Sequence, residues 1–149
     1  MKTWKTTILA AAFAAITVSG LAAAEPRASL FQRLGGMPVI RAVVDDFVSR
    51  ILADERVNKW FAHAASDPVK AAAYKRSLAD FLCQGTGGPC QYTGPDIVAA
   101  HKGRAVTGEA FDAVVEDLVA TLNRLQVPEK EKADLLGILG PMKTAVVGH

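Results

Sequence analysis

The chain has 149 residues, of which 50% are hydrophobic, and its 17 basic and 15 acidic side chains give a formal net charge of +2. This length suits one ordinary domain. The small net charge, together with the lack of a basic stripe interleaved with aromatic residues, argues against a protein that binds nucleic acid. Repeats and low-complexity segments are absent after the first 24 residues, so a single globular domain is expected.

Residues 1–24 have the composition of a secretory signal peptide. Two lysines precede an uncharged apolar run from Ile8 to Leu21, and three alanines follow before Glu25. The run is short for a membrane-spanning helix of about 20 residues, although an uncleaved membrane anchor is the alternative. We expect cleavage before Glu25, a periplasmic or secreted product with no stable membrane association, and a mature domain of residues 25–149.

Two segments in the first half of the mature chain place apolar residues three and four positions apart, the period of an amphipathic helix. The first has Pro38 in its first turn, and its apolar face carries Ile40, Val43, Val44, Phe47, Val48 and Ile51. The second begins at Asp67–Pro68, and its inner face carries Tyr74, Leu78, Phe81 and Leu82.

Two cysteines, Cys83 and Cys90, flank a glycine-rich corner at residues 85–88. In an oxidising compartment they could pair, and the alternative is two free, half-buried thiols. They do not form a heme-attachment motif, which needs two cysteines directly ahead of a histidine. The sequence also argues against a zinc site, because two cysteines without clustered histidines do not supply its four ligands.

His101 ends a short apolar stretch that begins at Ile97 and is closed by Gly103. A histidine there can point from a short helix into the crevice between long helices, where neutral imidazole is a good iron ligand. The alternative is a structural histidine that is simply hydrogen-bonded. The sequence around it has to decide between these two interpretations.

Two further amphipathic segments follow. Thr107 is a suitable N-cap for a helix whose apolar face carries Phe111, Val114, Val115, Leu118, Leu122 and Leu125. The same period continues after Pro128 as one last helix with Leu135, Ile138, Leu139, Met142 and Val146. Alternating strand patterns are absent from the sequence, so the predicted fold class is all-α.

Several short motifs keep a characteristic order and spacing along the chain: Leu34-Gly35-Gly36, Trp60-Phe61, Gly87-Gly88-Pro89, Tyr92-Thr93-Gly94, His101 and Leu136 to Pro141. Over about residues 29–146 the chain thereby resembles the group I truncated hemoglobin family. The resemblance implies a two-over-two helical sandwich and a non-covalent heme b with its iron. It also implies reversible binding or transport of oxygen, NO or CO, with His101 as the proximal iron ligand.

The resemblance, together with the helix faces, implies a set of heme-binding positions. In chain order these are Phe47, Val48, Phe61, Tyr74, Leu78, Phe81, Ile97, His101, Val106 and Phe111. Phe61 matches a phenylalanine that packs against the heme edge, and Ile97 lies one helical turn before His101. Without the resemblance, the apolar residues among them are ordinary core candidates.

The distal side departs from the common family pattern. Val48 stands where relatives often carry a tyrosine, and Leu78 where they often carry a glutamine. Tyr74, one helical turn before Leu78, could point inward and replace the missing hydroxyl. The alternative is a tyrosine that caps the pocket mouth in solvent. In that case the pocket would hold oxygen loosely and favour NO or CO.

Three functions are compatible with this sequence. A gas-binding globin is preferred over a nitric-oxide dioxygenase or peroxidase-like enzyme that would need an unidentified external reductant. A heme-free, all-α periplasmic interaction protein is the third. His63 is an alternative sixth iron ligand, and His149 is expected to be disordered at the chain end. No histidine lies on the last long helix, so no covalent histidine–heme link is expected.

Overall fold

The structure is a computed structural model that describes residues 27–149. The predicted signal peptide and its cleavage point lie outside these residues. The described chain forms eight α-helices: α1 (Leu30–Leu34), α2 (Gly36–Ala53), α3 (Asn58–Phe61), α4 (Pro68–Gly85), α5 (Ile97–His101), α6 (Gly108–Arg124), α7 (Glu129–Leu139) and α8 (Lys143–Val146). Residues 27–149 contain no strand, which confirms the all-α prediction, and none of their helices is long and apolar enough to cross a membrane.

Helix α2 lies at the centre of the core and packs against both α4 and α6. Its buried residues are Ile40, Val43, Val44, Phe47, Val48 and Ile51, the face that the sequence period predicts. Leu118 and Leu122 of α6 meet this face, and Ile51 and Leu122 are fully enclosed. Removing such side chains from water is the main favourable contribution to folding, so the α2–α6 contact anchors the fold.

Polar caps fix where the helices begin. The Thr107 side chain accepts a hydrogen bond from the backbone N–H of Ala110 at the start of α6, as predicted. Asp67 accepts from Lys70 N at the start of α4, and Asp96 accepts from Ala99 N at the start of α5. A cap of this kind satisfies a backbone donor that has no partner within the helix, and it places each helix start at a defined residue.

The prediction of one continuous helix after Pro128 is wrong. Helix α7 ends at Leu139, a 3₁₀ turn covers Gly140–Met142, and α8 then runs as a separate element. Pro141 has no backbone N–H and its ring clashes with the preceding turn of an α-helix, so it interrupts the regular hydrogen-bond pattern. The apolar period continues through this break, which is why periodicity alone did not reveal it.

The corner after α4 is closed by a disulfide between Cys83 and Cys90, whose Cα atoms are 5.8 Å apart. This confirms the pairing and overturns the alternative of two free thiols. The corner needs glycine at position 88, because a Cβ atom there would lie 2.6 Å from Cys83 Sγ and 2.8 Å from Cys83 O. The disulfide therefore ties the end of α4 to the segment that leads into α5.

Candidate functional site

His101 is positioned by a hydrogen bond within its own short helix. Its ring Nδ1 lies 2.7 Å from the carbonyl oxygen of Ile97, and the residue is half-buried. Because a carbonyl oxygen only accepts, Nδ1 carries the proton and Nε2 keeps a free lone pair. Metal-ligating histidines commonly have their second nitrogen fixed by such a bond, so His101 has the tautomer that a metal ligand requires.

The site offers one ligand rather than a cluster. Within residues 27–149, no group of three or more His, Cys, Asp or Glu side chains could together hold a metal ion. A structural zinc site needs four protein ligands, whereas heme iron needs one axial protein ligand because the macrocycle supplies the others. The donor set around His101 therefore fits heme iron and does not fit a bare metal ion.

Five of the predicted pocket residues are apolar and half-buried: Leu78, Phe81, Ile97, Val106 and Phe111. Helix α5 itself has no buried side chain. Apolar side chains left half-exposed gain free energy when another apolar surface covers them, which is the kind of wall that a flat hydrophobic cofactor requires.

Three of the predicted distal residues line one small void. Val48, Phe61 and Tyr74 surround a space of about 10 Å³ together with Leu52 and three alanines. The rings of Phe61 and Tyr74 are in contact, with centroids 6.1 Å apart. The structure thus brings residues from α2, α3 and α4 together as predicted, and the volume is at the lower limit for one water molecule.

The Tyr74 side chain points into the protein rather than into solvent. Burial raises the pKa of its hydroxyl to about 12, against the opposing effect of the nearby positive charge of Arg104. The hydroxyl therefore keeps its proton at any physiological pH. It donates to no other group of the described residues, so it is available to a ligand. These observations favour the inward orientation over a tyrosine that caps the mouth.

Phe81 and Phe47 lie away from that void. Phe81 contacts the ring of Tyr92, with centroids 5.3 Å apart, and lines a larger cavity of about 120 Å³. The other walls of this cavity include Leu135 and Ile138 of α7, which the sequence analysis assigned only to the core. Phe47 is buried in the core. The larger cavity is lined mostly by apolar side chains, and neither cavity is lined by His101.

Trp60 and Arg104 form a contact that the sequence analysis missed. The indole Nε1 of Trp60 donates to the carbonyl oxygen of Arg104 at 2.9 Å, and a guanidinium nitrogen of Arg104 lies 3.4 Å from the carbonyl oxygen of Trp60. The Arg104 Nε also donates to the carbonyl oxygen of Ala100 in α5 at 2.7 Å. The two residues are 44 positions apart, and no local pattern predicts such a pairing.

The chain matches the bacterial-like globin family over residues 29–147. It belongs to that family. It is 36% identical over 116 residues to a group 1 truncated hemoglobin of Synechocystis, covering 75% of this chain and 90% of that protein. It is also 32% identical over 119 residues to a group 1 truncated hemoglobin of Mycolicibacterium paratuberculosis, covering 80% of this chain and 83% of that protein.

Solved structures give the same result. The Fe(III) truncated hemoglobin of Tetrahymena pyriformis superimposes with a TM-score of 0.74 at 30% identity, covering 82% of this chain and all of that one. A Synechococcus 2/2 hemoglobin with covalently attached heme gives a TM-score of 0.73 at 32% identity, with the same coverage of both chains. The chain is therefore a group I truncated hemoglobin, and the predicted two-over-two helical sandwich is confirmed.

Membership in this group decides the kind of cofactor and ligand. The protein is a heme-binding globin that binds heme b with its iron and takes diatomic gases as ligands. Non-covalent heme is typical of the family, although the Synechococcus neighbour carries it covalently.

Proposed function

We propose that His101 Nε2 is the proximal iron ligand of a globin that binds a diatomic gas reversibly. The observation that carries the assignment is the 2.7 Å contact between His101 Nδ1 and the Ile97 carbonyl oxygen. This contact fixes the ring and leaves the Nε2 lone pair free for the iron. When bound, the heme iron supplies an open coordination position for the gas, and the chain supplies the ligand and the walls.

The distal side is proposed to be apolar with one hydroxyl donor. Val48 lines the small void and Leu78 is half-buried, and neither carries a hydrogen-bond donor. Tyr74 lines the same void as Val48, is desolvated, and keeps its proton. An oxygen ligand carries partial negative charge, and a hydrogen bond to a charged group stabilises by about 1.5–3 kcal/mol. Tyr74 therefore favours oxygen over CO, which has less charge to stabilise.

The ligand assignment is tested with His101→Ala and, as the matched control, His63→Ala. His63 is exposed, in the loop after α3, so its replacement should leave the optical spectrum and the heme content unchanged. His101→Ala should lose most of its heme during purification, and added imidazole should restore part of it. An unchanged ferrous spectrum in His101→Ala would contradict the assignment, and a changed spectrum in His63→Ala would identify a sixth ligand.

Export through the signal peptide of residues 1–24 is part of the same proposal. The sequence pattern supports it, and so does the disulfide between Cys83 and Cys90, because disulfides persist mainly in oxidising compartments. Mass spectrometry of protein from the native host should find a mature chain that begins near Glu25. An intact Met1 on cytoplasmic protein would contradict export without affecting the assignment of His101.

A further inference from the structure

Helix α5 has little of its own to hold it in place. It has five residues and none of them is buried. Directly after it, Lys102 is extended, and Gly103 and Ala105 adopt left-handed φ values of 75° and 46°, so the chain turns away sharply. A single turn of helix is not stable alone, and the position of His101 must therefore be set by contacts from outside α5.

The reciprocal contact between Trp60 and Arg104 supplies such a restraint. One bond runs from the Trp60 indole to the Arg104 carbonyl oxygen, and a guanidinium nitrogen approaches the Trp60 carbonyl oxygen in return. The same guanidinium is bonded to the Ala100 carbonyl oxygen in α5, and the Arg104 backbone N–H is bonded to the His101 carbonyl oxygen. These bonds link α3 to the last turn of α5.

The link also reaches the distal side. Trp60 is followed directly by Phe61, which lines the small void with Val48 and contacts the ring of Tyr74. A displacement of α3 would therefore move a wall of the distal void, while the same bonds would transmit the displacement to α5. The residue that binds the iron and the residues that surround the gas are thus held by one network.

We propose that Trp60 and Arg104 are a positioning pair that fixes the proximal histidine relative to the distal wall. The proposal rests on the assignment of His101 as the iron ligand. Neither residue contacts the iron, and both act through the backbone on either side of the site. The proposal requires the planar guanidinium, because its nitrogens donate in two directions, to the carbonyl oxygens of Ala100 and Trp60. A lysine ammonium is a point charge on a flexible stem and lacks this forked arrangement of donors.

The test uses the ferrous holoprotein without added gas and the resonance Raman band of the iron–histidine stretch, which reports the orientation and strain of the proximal bond. The variants are Trp60→Phe, which keeps an aromatic ring but removes the indole N–H together with part of the ring system, Arg104→Met, and Arg104→Lys. The matched control is Arg76→Met, because Arg76 is exposed on α4 and makes no hydrogen bond to another described residue. Heme transfer to an excess of a heme-free acceptor protein is measured on the same samples.

The band should shift or broaden in Trp60→Phe and Arg104→Met and stay at the wild-type position in Arg76→Met. Heme loss should be about twofold to tenfold faster in these two variants, as expected for one ordinary hydrogen bond lost. Arg104→Lys should resemble Arg104→Met, since the charge remains and the fork does not. The double variant should lose heme less quickly than the product of the two single effects, because the residues share one network.

Wild-type iron–histidine bands and wild-type heme loss in Trp60→Phe and Arg104→Lys would overturn the proposal, and these are the two mildest changes. A wild-type band in Arg104→Lys beside a shifted band in Arg104→Met would also overturn it. That result would show that the positive charge suffices without the planar guanidinium. A band that survives in His101→Ala is a different failure, because it would remove the proximal assignment itself.

Discussion

Helices α2 and α5 are held in the same protein by different kinds of force. Helix α2 has 18 residues and buries six apolar side chains against its neighbours, whereas α5 has five residues and buries none. The first is fixed by apolar burial, which is strong and non-directional. The second is held by hydrogen bonds, whose direction is defined, by a disulfide before it and by its contact with α8. The part of the fold that contributes most apolar burial and the part that carries the proposed iron ligand are therefore separate.

This separation has a physical reason. Side chains that pack a cofactor must remain free of protein contacts on that side, so α5 cannot gain stability by burying its inner face in the core. Its restraints come from its flanks instead. Asp96 caps its first turn, the disulfide precedes it, and Arg104 follows it. Beyond Arg104, Ala105 N donates to the His149 carbonyl oxygen, so the structure places His149 in a backbone contact and the expectation of a disordered end is wrong.

The largest effect should come from breaking the covalent restraint before α5. The disulfide between Cys83 and Cys90 closes a loop with a sequence separation of 7, which stabilises by about 2.5 kcal/mol in the chain-entropy model. Cys83→Ala with Cys90→Ala should lower the free energy of unfolding by about that amount, as measured by denaturant titration. Heme loss should accelerate as well, because the segment leading to His101 becomes freer.

Reductant supplies the control for this prediction. Dithiothreitol should destabilise the wild type to a similar extent and should leave the double alanine variant unchanged. Equal stability of the oxidised and reduced wild type would show that the fold holds this corner without the bond. In that case α5 would depend on its hydrogen bonds and its contact with α8, and the contrast with α2 would be sharper.

The sequence predicts the apolar burial that fixes α2 far better than the hydrogen bonds that restrain α5. The buried face of α2 follows from a period of 3.6 residues, whereas only Leu82 of the face predicted for α4 and only Leu118 and Leu122 of the face predicted for α6 are buried. The caps at Asp67 and Thr107 follow from local chemistry. Both signals lie within a few positions of the residues they describe. The candidate site was found for a related reason, since His101 and its neighbours form short motifs in a fixed order.

The restraints on α5 were not predictable in this way. Trp60 and Arg104 are 44 positions apart, and their bonds involve backbone carbonyl groups, which every residue has. The lining of the larger cavity by Leu135 and Ile138 was missed for another reason. An apolar residue on a helix face has the same pattern whether it meets core or pocket, and only the packing of the helices distinguishes the two.

A smaller effect, on ligand binding and not on folding, is expected from the lining of the small void. Tyr74→Phe removes the only hydroxyl among the residues that line the small void and changes little volume. Oxygen should dissociate about tenfold faster, which corresponds to about 1.4 kcal/mol, if the loss falls on the off-rate. The CO off-rate should change far less. Stopped-flow measurement with both gases tests this.

A gain-of-function variant gives the matching control. Val48→Tyr restores a hydroxyl at the position where relatives often carry one, and it should slow oxygen release in both the wild type and the Tyr74→Phe background. Equal oxygen off-rates in the wild type and Tyr74→Phe would mean that Tyr74 does not donate to the ligand. The distal side would then be apolar throughout, and it would offer bound oxygen no hydrogen bond.

The smallest effect concerns a charged residue that is buried in the otherwise apolar core. Asp117 of α6 is buried, and its Oδ2 has no hydrogen-bond partner among residues 27–149. Burial, and then the negative charge of Asp54 at the end of α2, raise the pKa of its carboxyl above the ordinary 3.8, although Arg56 and Arg50 oppose the shift. The folded protein therefore binds this proton more tightly than the unfolded chain, and the stability that Asp117 contributes is lost as the pH rises through the raised value.

Asp117→Asn removes the charge and keeps the shape. It should raise the free energy of unfolding by about 1 kcal/mol at neutral pH, the lower end of the cost of an unsatisfied buried polar group. The gain should shrink as the pH falls through the raised value and below the ordinary 3.8, where the wild-type carboxyl is protonated in both states. Denaturant titration at several pH values tests this, with the exposed Glu55→Gln as control. A gain that is constant with pH would show that the pKa of Asp117 is the same in the folded and unfolded chains, with the effect of burial offset by Arg50 and Arg56.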